Sequence, residues 1–414
     1  MSREIQAVGL DIGTSRVRCV VGEASENGAA AMNVVGFGAA ESRGLRRGVV
    51  TTTDAVVESI KKAVEDAERM SGLAIHDATI NLSGEHLRGE NKSGVVAVAG
   101  AGREISTEDI ERAVESASAM QLPAGWEIVD RLPQEFIVDG QDGIVEPVGM
   151  RGARLESRIH VVTSPSAGRQ NIVKAIHRAG LEVEQMMLEP LAAAQSTLTD
   201  DDKEYGCALV NVGAEVTSLM IFRRGAVQHT AVFPFGGMHF TKDIAVGLRV
   251  SIPEAAKIKH FYGCVAGFLM NGDERQEIIE ITPVGRTETR QLSKEILCDI
   301  MQPRAIELLH HIAQEVFAAG GQISSGVVLT GGGALNRGMV EIAEQVFDAP
   351  TRLGFVETEK FSGLANEVRS PEWATACGLA LSSLRTQIRA HSTGAKSPSR
   401  KVAEWFENFR EKFR

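Results

Sequence analysis

Three features that mark secreted or membrane-spanning chains are missing from this sequence. Its five cysteines stand far apart and never form a C-x-x-C pair, which argues against a disulfide framework and against a zinc site. The chain starts MSREIQAVGL without the long apolar stretch of a signal peptide, and it contains no apolar run of about eighteen residues that could cross a membrane. We therefore expect a protein of the reducing cytosol.

An excess of basic residues is also missing, and this argues against a nucleic-acid partner. The formal net charge is -10, with 44 lysines and arginines against 54 acidic residues, whereas proteins that bind a phosphate backbone usually present a basic face. The tail differs from the body, because residues 396–414 carry six basic and three acidic side chains. We expect the tail to have a partner of its own.

The composition is that of a packed globular protein. Of the 414 residues, 43 % are apolar and 24 % are charged, and no low-complexity body interrupts them. A chain of this length is expected to form about two to four domains, each with its own core.

Two distant segments have the same pattern. Residues 7–22 (AVGLDIGTSRVRCVVG) and 207–225 (CALVNVGAEVTSLMIFRRG) each read as an apolar strand, a tight turn and a second apolar strand. We call residues 11–15 the first turn and residues 211–217 the second turn. Helical patterns follow at 53–70 and 165–179. The repeat predicts two α/β lobes of similar build, with a cleft between them.

A third glycine-rich turn follows the apolar strand GVVL. Residues 330–334 (TGGGA), the third turn, are expected to open a helix, and their backbone amides could meet a ligand. In the first turn, Gly13, Thr14 and Ser15 can wrap a phosphate while Asp11 holds a hydrated Mg²⁺. A lone turn of this kind is most often an ordinary hairpin. Three such turns together favour one nucleotide site in the cleft.

Two stretches read as insertions that the lobes do not need. Residues 84–162 carry several strand patterns and a helix from about 107 to 120, with Ser106 as its expected N-cap. Residues 250–303 carry a helix near 253–261, a strand pair and a second helix that starts near 293. After a helix at 371–389, the segment HSTGAKSPS reads as a flexible linker.

The last residues have the pattern of an interfacial helix. On a helical wheel the glutamates of the tail lie opposite an apolar face that basic residues flank. Such a helix suits the headgroup level of an anionic membrane surface. The alternative is a helix that docks on the protein's own core or on a partner. The residues of the apolar face are Val402, Trp405, Phe406, Phe409 and Phe413.

The three turns resemble the phosphate-1, phosphate-2 and adenosine motifs of the superfamily of actin, Hsp70 and sugar kinases. The sharper resemblance lies in residues 132–156 (LPQEFIVDGQDGIVEPVGMRGARLE), 233–248 (FPFGGMHFTKDIAVGL) and 373–381 (WATACGLAL). These segments resemble the FtsA family of bacterial cell-division proteins over nearly the whole chain. The resemblance implies an α/β, actin-like fold: two RNase H-like lobes around a nucleotide cleft, each with an inserted subdomain, and a C-terminal amphipathic helix.

The resemblance also implies a division of the chain. The subdomains would be 1A (1–83, 163–195 and 375–389), 1C (84–162), 2A (196–249 and 304–374) and 2B (250–303), followed by a linker (390–399) and a membrane-targeting helix (400–414).

ATP and Mg²⁺ are the cofactors that the resemblance implies. Asp11 would hold the metal through water, and Glu254 and Lys257 belong to a segment similar to the helix that touches the ribose in the superfamily. Glu189, in a segment similar to the superfamily's connecting segment, is the candidate for positioning water. The implied nucleotide-binding residues are Asp11, Gly13, Thr14, Ser15, Asn211, Gly213, Ala214, Thr217, Gly236, Gly237, Glu254, Lys257, Gly331, Gly332, Gly333 and Ala334.

The second turn departs from the family pattern. Asn211 stands where an aspartate is common, and it can hydrogen-bond a metal-bound water but carries no charge. Glu215 is expected to place an anion where a backbone amide should approach phosphate. We therefore predict a scaffold that hydrolyses ATP slowly at most. The alternative is that this lobe has lost its nucleotide contact.

The family resemblance also implies the partners. The protein would tether filaments of the tubulin-like FtsZ to the cytoplasmic face of the membrane at the division site, recruit later division proteins and assemble into filaments of its own. The FtsZ C-terminal tail is expected on the 2B insertion, at Arg286, Arg290, Lys294 and Arg304. The alternatives are another actin-like scaffold, such as a PilM-like pilus-assembly protein or a rod-shape filament, and an active ATPase or sugar kinase.

Overall fold

A computed structural model describes residues 5–24, 31–98 and 104–392, with side chains up to residue 388. The strands are β1 Gln6–Ile12, β2 Arg16–Ala24, β3 Met32–Glu41, β4 Leu45–Arg46, β5 Val49–Val50, β6 Asp77–Leu82, β7 Arg88–Ala97, β8 Trp126–Val138, β9 Gln141–Ile144, β10 Arg154–Pro165, β11 Glu182–Leu188, β12 Cys207–Val212, β13 Thr217–Arg223, β14 Ala226–Phe233, β15 Ile278–Ile281, β16 Arg290–Ser293, β17 Val327–Thr330, β18 Thr351–Leu353 and β19 Phe361–Gly363.

The helices lie between these strands. They are α1 Thr53–Ser71, α2 Thr107–Ser118, α3 Ser166–Ala179, α4 Glu189–Thr197, α5 Asp200–Tyr205, α6 Gly237–Leu248, α7 Ile252–Tyr262, α8 Gly272–Arg275, α9 Lys294–Ala318, α10 Met339–Phe347 and α11 Ala374–Ser392. Short 3-10 helices lie at Gly267–Leu269, Gly332–Leu335, Leu364–Val368 and Pro371–Trp373.

The two lobes share the arrangement of five strands, and lobe 1 has one further strand, β19. In lobe 1 the strand order is β11-β6-β1-β2-β3-β19, and in lobe 2 it is β18-β17-β12-β13-β14. The hairpins β1–β2 and β12–β13 are antiparallel, and β1 and β12 each have a parallel neighbour on their other side, β6 and β17 respectively. The repeat that the sequence predicted is therefore confirmed strand by strand.

Both faces of each sheet are covered. Helices α1 and α3 enclose one core of lobe 1, and α11 covers the other face. Helices α6, α7, α9 and α10 cover one face of lobe 2, whereas α4 packs between the lobes. The approach of α11 is very close, because a Cβ at Gly9 would overlap the backbone of Ala376 and Ala380, and one at Gly378 would overlap the carbonyl oxygen of Ala192. The lobes thus meet through α4 and α11, at the base of the cleft.

One insertion is a sheet of its own, which we call the inserted sheet. Its strand order is β7-β10-β8-β9, and α2 packs on it. Helix α2 begins as predicted, because the Ser106 hydroxyl accepts from the Asp109 amide at 3.3 Å and the Asp109 carboxylate accepts from the Ser106 amide at 2.9 Å. The sheet touches strand β14 of lobe 2, where His160 Nε2 lies 2.8 Å from Thr230 Oγ1.

The second insertion is smaller and consists of α7, α8 and the β15–β16 hairpin. Helix α9 runs on from this insertion into lobe 2 and passes through Pro303, so the predicted limit at residue 303 falls inside a helix. The helix predicted directly after the third turn begins only at Met339, after a 3-10 segment. Helix α11 continues to Ser392, so the predicted linker starts within it.

Candidate nucleotide site

The three turns surround one cavity of about 420 Å³ between the lobes. Each turn follows the carboxyl end of a central strand, namely β1, β12 or β17, and the similar build of the lobes places these ends around the cleft. The predicted site residues that line the cavity are Asp11, Gly13, Thr14, Ser15, Glu189, Asn211, Gly213, Ala214, Gly237, Gly331, Gly332 and Gly333.

The first and second turns are closed by the same hydrogen bond. The Gly13 amide donates to the Arg16 carbonyl at 3.1 Å, and the Gly213 amide donates to the Val216 carbonyl at 3.0 Å. A Cβ at Gly13 would come within 2.9 Å of that Arg16 oxygen. Glycine is therefore needed for the tight curvature that brings backbone to the cavity wall.

The start of α6 braces the second turn. The amides of Gly237 and Met238 donate to the carbonyls of Gly213 and Ala214 at 2.8 and 2.7 Å. A Cβ at Gly236 would lie 2.7 Å from the Ala214 carbonyl oxygen, so this approach also needs glycine. The second turn is thus held from below by its own lobe.

The third turn lies against Asn211. Gly331 has a φ of +81° and its amide donates to the Pro371 carbonyl at 3.0 Å. The Asn211 amide nitrogen faces the Thr375 hydroxyl at 3.4 Å, whereas its Oδ1 is buried and has no hydrogen-bond partner in the described part of the chain. A Cβ at Gly331 would come within 2.1 Å of this Oδ1, so the close approach of the third turn to the second also needs glycine.

Two carboxyl groups line the cavity, and burial raises the pKa of both. Burial raises the pKa of Asp11 to about 6, although the positive charge of Arg18 opposes the shift. Burial raises the pKa of Glu189 to about 8, and the hydrogen bond from Ser218 opposes it. The charge of Asp11 also raises the pKa of Glu189, so the two groups lie close enough to interact.

Several residues that line the cavity were not predicted from the sequence. Arg18 pairs with Glu372, and its guanidinium lies 5.5 Å from the centre of the Trp373 ring. Alternation along β2 was the available signal, because Arg18 follows Arg16 on the same strand face in an otherwise apolar strand. The other cavity residues that the sequence patterns did not predict are Arg16, Asn81, Ser83, Val216, Met238, Thr241, Ala256, Lys259, His260, Pro371 and Thr375.

Five predicted residues do not line the cavity: Thr217, Gly236, Glu254, Lys257 and Ala334. Thr217 is buried, and its hydroxyl donates to the Phe235 carbonyl at 2.8 Å, which stabilises the strand end. Glu254 and Lys257 face each other across 4.0 Å.

Helix α7 shows its other side to the cleft. Ala256, Lys259 and His260 line the cavity, and they lie roughly opposite Glu254 and Lys257 on the helix. Lys259 Nζ donates to the Gly237 carbonyl at 2.8 Å, and burial lowers its pKa. The contact of Glu254 and Lys257 with ribose therefore stays a prediction, and the orientation of α7 does not favour it.

The expectation that Glu215 places its carboxylate near the phosphate is wrong. Its carboxylate does not line the cavity, whereas Ala214 and Val216 on either side do. Glu215 Oε2 instead accepts from the backbone amide of Arg47 in lobe 1 at 2.8 Å. The anion is therefore turned away from the place where phosphate would lie.

The four cations predicted to bind a partner fall into two pairs. Arg286 and Arg290 are exposed at the β15–β16 hairpin. Lys294 already pairs with Glu274 and Glu277 at 2.9 and 3.1 Å, and Arg304 makes two hydrogen bonds to Asp243, of 2.7 and 3.1 Å. The side chains of Lys294 and Arg304 are therefore already paired with acidic groups of this protein.

The predicted interfacial helix at 400–414 lies outside the described residues, as do its apolar positions Val402, Trp405, Phe406, Phe409 and Phe413. Within the described ranges, no helix has both the length and the apolar character that a membrane span requires.

Comparisons with known proteins identify the relatives of this chain. The family model "Cell division protein FtsA" matches residues 208–378, and the model "SHS2 domain inserted in FTSA" matches residues 84–163. The chain is 41 % identical to the cell division protein FtsA of Pseudomonas aeruginosa over 95 % of its own length and 92 % of the relative's. Identity to the cell division protein FtsA of Escherichia coli K12 is 31 %, over 96 % and 95 % of the two chains.

Solved structures share the fold at lower identity. The PilM-PilN type IV pilus biogenesis complex matches with a TM-score of 0.65 at 19 % identity, over 91 % of this chain and 98 % of that one. MreB 5 of Spiroplasma citri bound to AMPPNP matches with a TM-score of 0.55 at 14 % identity, over 95 % of this chain and 100 % of that one. The predicted actin-like fold is confirmed, with the fold alone shared with these two proteins.

Proposed function

This chain belongs to the FtsA family of cell-division proteins, and from that membership we propose that it is an ATP-binding scaffold which tethers FtsZ filaments to the cytoplasmic face of the membrane. The proposal includes self-assembly into filaments and the recruitment of later division proteins at the division site. It also includes the subdomain limits given above, of which the limit at residue 303 falls inside α9.

The observation that carries the nucleotide proposal is the matched pair of turns. Two turns, each closed by a hydrogen bond from a glycine amide, face one cavity from opposite lobes, and the third turn lies beside the second. Glycine-rich turns of this kind let backbone and hydroxyl groups approach phosphate oxygens closely. The third turn adds the backbone of Gly331, Gly332 and Gly333 to the wall of the same cavity. A nucleoside triphosphate fits both features.

Magnesium would be held mainly by phosphate oxygens and water. Asp11 and Asn211 are the residues that would hold its hydration shell, and no group of three acidic, histidine or cysteine side chains suited to direct metal binding occurs in the described residues. When bound, the metal would supply positive charge that offsets the phosphates. That charge would also lower the pKa of Asp11, since opposite charges favour the ionised carboxylate.

We propose that the protein hydrolyses ATP slowly at most. Glu189 is the candidate for positioning water, but its pKa of about 8 keeps it protonated at neutral pH, and a protonated acid cannot accept a proton from water. Asn211 supplies no second carboxylate. A scaffold whose cleft holds ATP for long times is consistent with both features.

The two proposed contacts outside the cleft rest on different grounds. The exposed arginines of the β15–β16 hairpin, Arg286 and Arg290, are proposed to bind the FtsZ C-terminal tail, since the family implies that partner and the hairpin leaves their charge at the surface. The membrane contact is proposed from the amphipathic sequence of residues 400–414.

A thermal-shift titration tests the nucleotide proposal on the full-length protein. ATP with Mg²⁺ should raise the melting temperature by a few degrees, because a ligand that binds only the folded state stabilises it by mass action. Asp11→Ala should remove this shift, whereas Asp299→Ala, which removes an exposed carboxylate on α9, should keep it. A wild-type protein that shows no shift would contradict the proposal.

A further inference from the structure

The Glu215 side chain connects the second turn to a hairpin of lobe 1. Glu215 Oε2 accepts a hydrogen bond of 2.8 Å from the Arg47 amide, which lies at the tip of the β4–β5 hairpin. The two residues are 168 positions apart and belong to opposite lobes. The acceptor is charged, and charged acceptors make the stronger class of hydrogen bond.

The hairpin is shaped for this contact. Its two turn residues, Arg47 and Gly48, have φ angles of +49° and +78°, the left-handed pair that a tight two-residue hairpin needs. An arginine rarely adopts that conformation, so surrounding contacts must hold it there. Besides Glu215, Glu85 does so, because its Oε2 lies 3.1 Å from the Arg47 guanidinium.

The hairpin also abuts the cavity wall and the base of the inserted sheet. A Cβ at Gly48 would come within 2.8 Å of the Gly84 Cα and 2.9 Å of the Ser83 carbonyl oxygen. Ser83 lines the cavity, and Gly84 precedes strand β7. A movement of the hairpin would therefore displace residues of both the cavity wall and the start of the inserted sheet.

The second turn can hardly move on its other side. The start of α6 holds the carbonyls of Gly213 and Ala214 at 2.8 and 2.7 Å. The contact between Glu215 and Arg47 must therefore lengthen if the second turn and the hairpin separate. Opening of the cleft at this edge would therefore require the loss of this hydrogen bond.

We propose that Glu215 is a positioning residue which latches the second turn to the β4–β5 hairpin, holds the cleft closed and slows nucleotide release. The effect on nucleotide release rests on the proposed nucleotide site, whereas the contact between Glu215 and the hairpin does not depend on that site. The sequence marks the latch as a departure from the family pattern, since Glu215 occupies a turn where small residues are usual.

The test compares variants of the full-length protein that keep or remove the acceptor. Glu215→Ala removes it, whereas Glu215→Gln keeps an oxygen that can accept from the Arg47 amide. Arg47→Gly keeps the amide donor and suits the positive φ. Glu58→Ala removes an exposed carboxylate from α1 and serves as the charge control.

The first measurement is the dissociation rate of a fluorescent ATP analogue, followed by stopped-flow chase with unlabelled ATP. Glu215→Ala should raise the rate by about tenfold or more, as expected for losing one hydrogen bond to a charged group. Glu215→Gln and Arg47→Gly should remain within about threefold of the wild type, and Glu58→Ala should leave the rate unchanged. An unchanged rate in Glu215→Ala would overturn the latch.

The second measurement needs no nucleotide. Amide hydrogen exchange in the 45–50 segment of the ligand-free protein should be faster in Glu215→Ala than in the wild type or in Glu58→Ala, because the Arg47 amide loses its acceptor. Equal exchange in all three proteins would overturn the latch even if ATP binds. Faster exchange in a protein that fails to bind ATP would support the latch and refute the nucleotide site.

Discussion

Glu189 Oε2 accepts a hydrogen bond of 2.6 Å from the Ser218 hydroxyl, and this joins the first residue of α4 to strand β13 of lobe 2. Both residues are buried. The contact places a carboxyl group at the junction of the lobes, close enough to Asp11 for their charges to interact. The protonation of Glu189 therefore bears on both the stability of the protein and the chemistry of the cleft.

The first prediction concerns pH. The folded-state pKa of Glu189, about 8, lies above its ordinary value of 4.5, so the folded protein binds this proton more tightly than the unfolded chain. The resulting stability is fully present below pH 4.5 and is lost as the pH rises through 8. We expect Glu189→Gln, a neutral side chain of similar shape, to lose less stability than the wild type between pH 6 and 9. Melting curves of the ligand-free proteins across this range provide the measurement.

The difference between the two proteins should reach the order of a few kcal/mol at the alkaline end. Glu58→Ala, which removes an exposed carboxylate, should follow the wild type throughout. Parallel curves for the wild type and Glu189→Gln would mean that Glu189 is already ionised at neutral pH.

The second prediction concerns the close approach of α11 and α4. A methyl group at Gly378 would overlap the Ala192 carbonyl oxygen, so Gly378→Ala must push the helices apart. We expect a loss of about 1–3 kcal/mol in the free energy of unfolding, as for other overpacked cores. Urea denaturation measures it. The matched control is Gly168→Ala in α3, where an added Cβ meets nothing within 4 Å. This substitution should raise the free energy of unfolding slightly, because alanine favours the helix more than glycine does.

The third prediction separates the four cations of the second insertion and its helix. Arg286→Glu with Arg290→Glu should weaken binding of an FtsZ C-terminal peptide while the melting temperature stays constant, because both side chains are exposed. Arg304→Glu should instead lower the melting temperature, because it breaks two hydrogen bonds to Asp243 and places two carboxylates together. Fluorescence anisotropy with a labelled peptide checks the first result. Peptide binding that survives the double reversal would place the partner elsewhere.

The fourth prediction concerns the tail. Trp405→Glu with Phe409→Glu should release the protein from anionic vesicles in a sedimentation assay, because two large apolar groups are replaced by charge on one helical face. Nucleotide binding should stay intact in this variant. A chain ending after Ser392, where α11 ends, should also fail to sediment. If both variants still bind vesicles, the membrane contact lies on the folded body and the tail packs on protein.

The fold and much of the cleft were predictable because their signals are local. Residues 7–22 and 207–225 contain the whole pattern of strand, glycine turn and strand, and hydrogen bonds inside each segment close the turn. The positions of Gly13 and Gly213 in the cavity wall follow from this local geometry once two similar lobes face each other. The capping box of Ser106 and Asp109 was predictable for the same reason, since it spans a single helical turn.

Tertiary structure alone decided the contacts that depend on how one element is rotated or placed against another. The rotation of α7 sets which of its sides meets the cleft, so Lys259 lies there and Lys257 does not. The approach of lobe 1 gives Glu215 its partner in Arg47, and the packing of α6 against α9 gives Arg304 its partner in Asp243. Each partner is distant in sequence, and each charge takes the nearest group that offsets its loss of water, which no local pattern specifies.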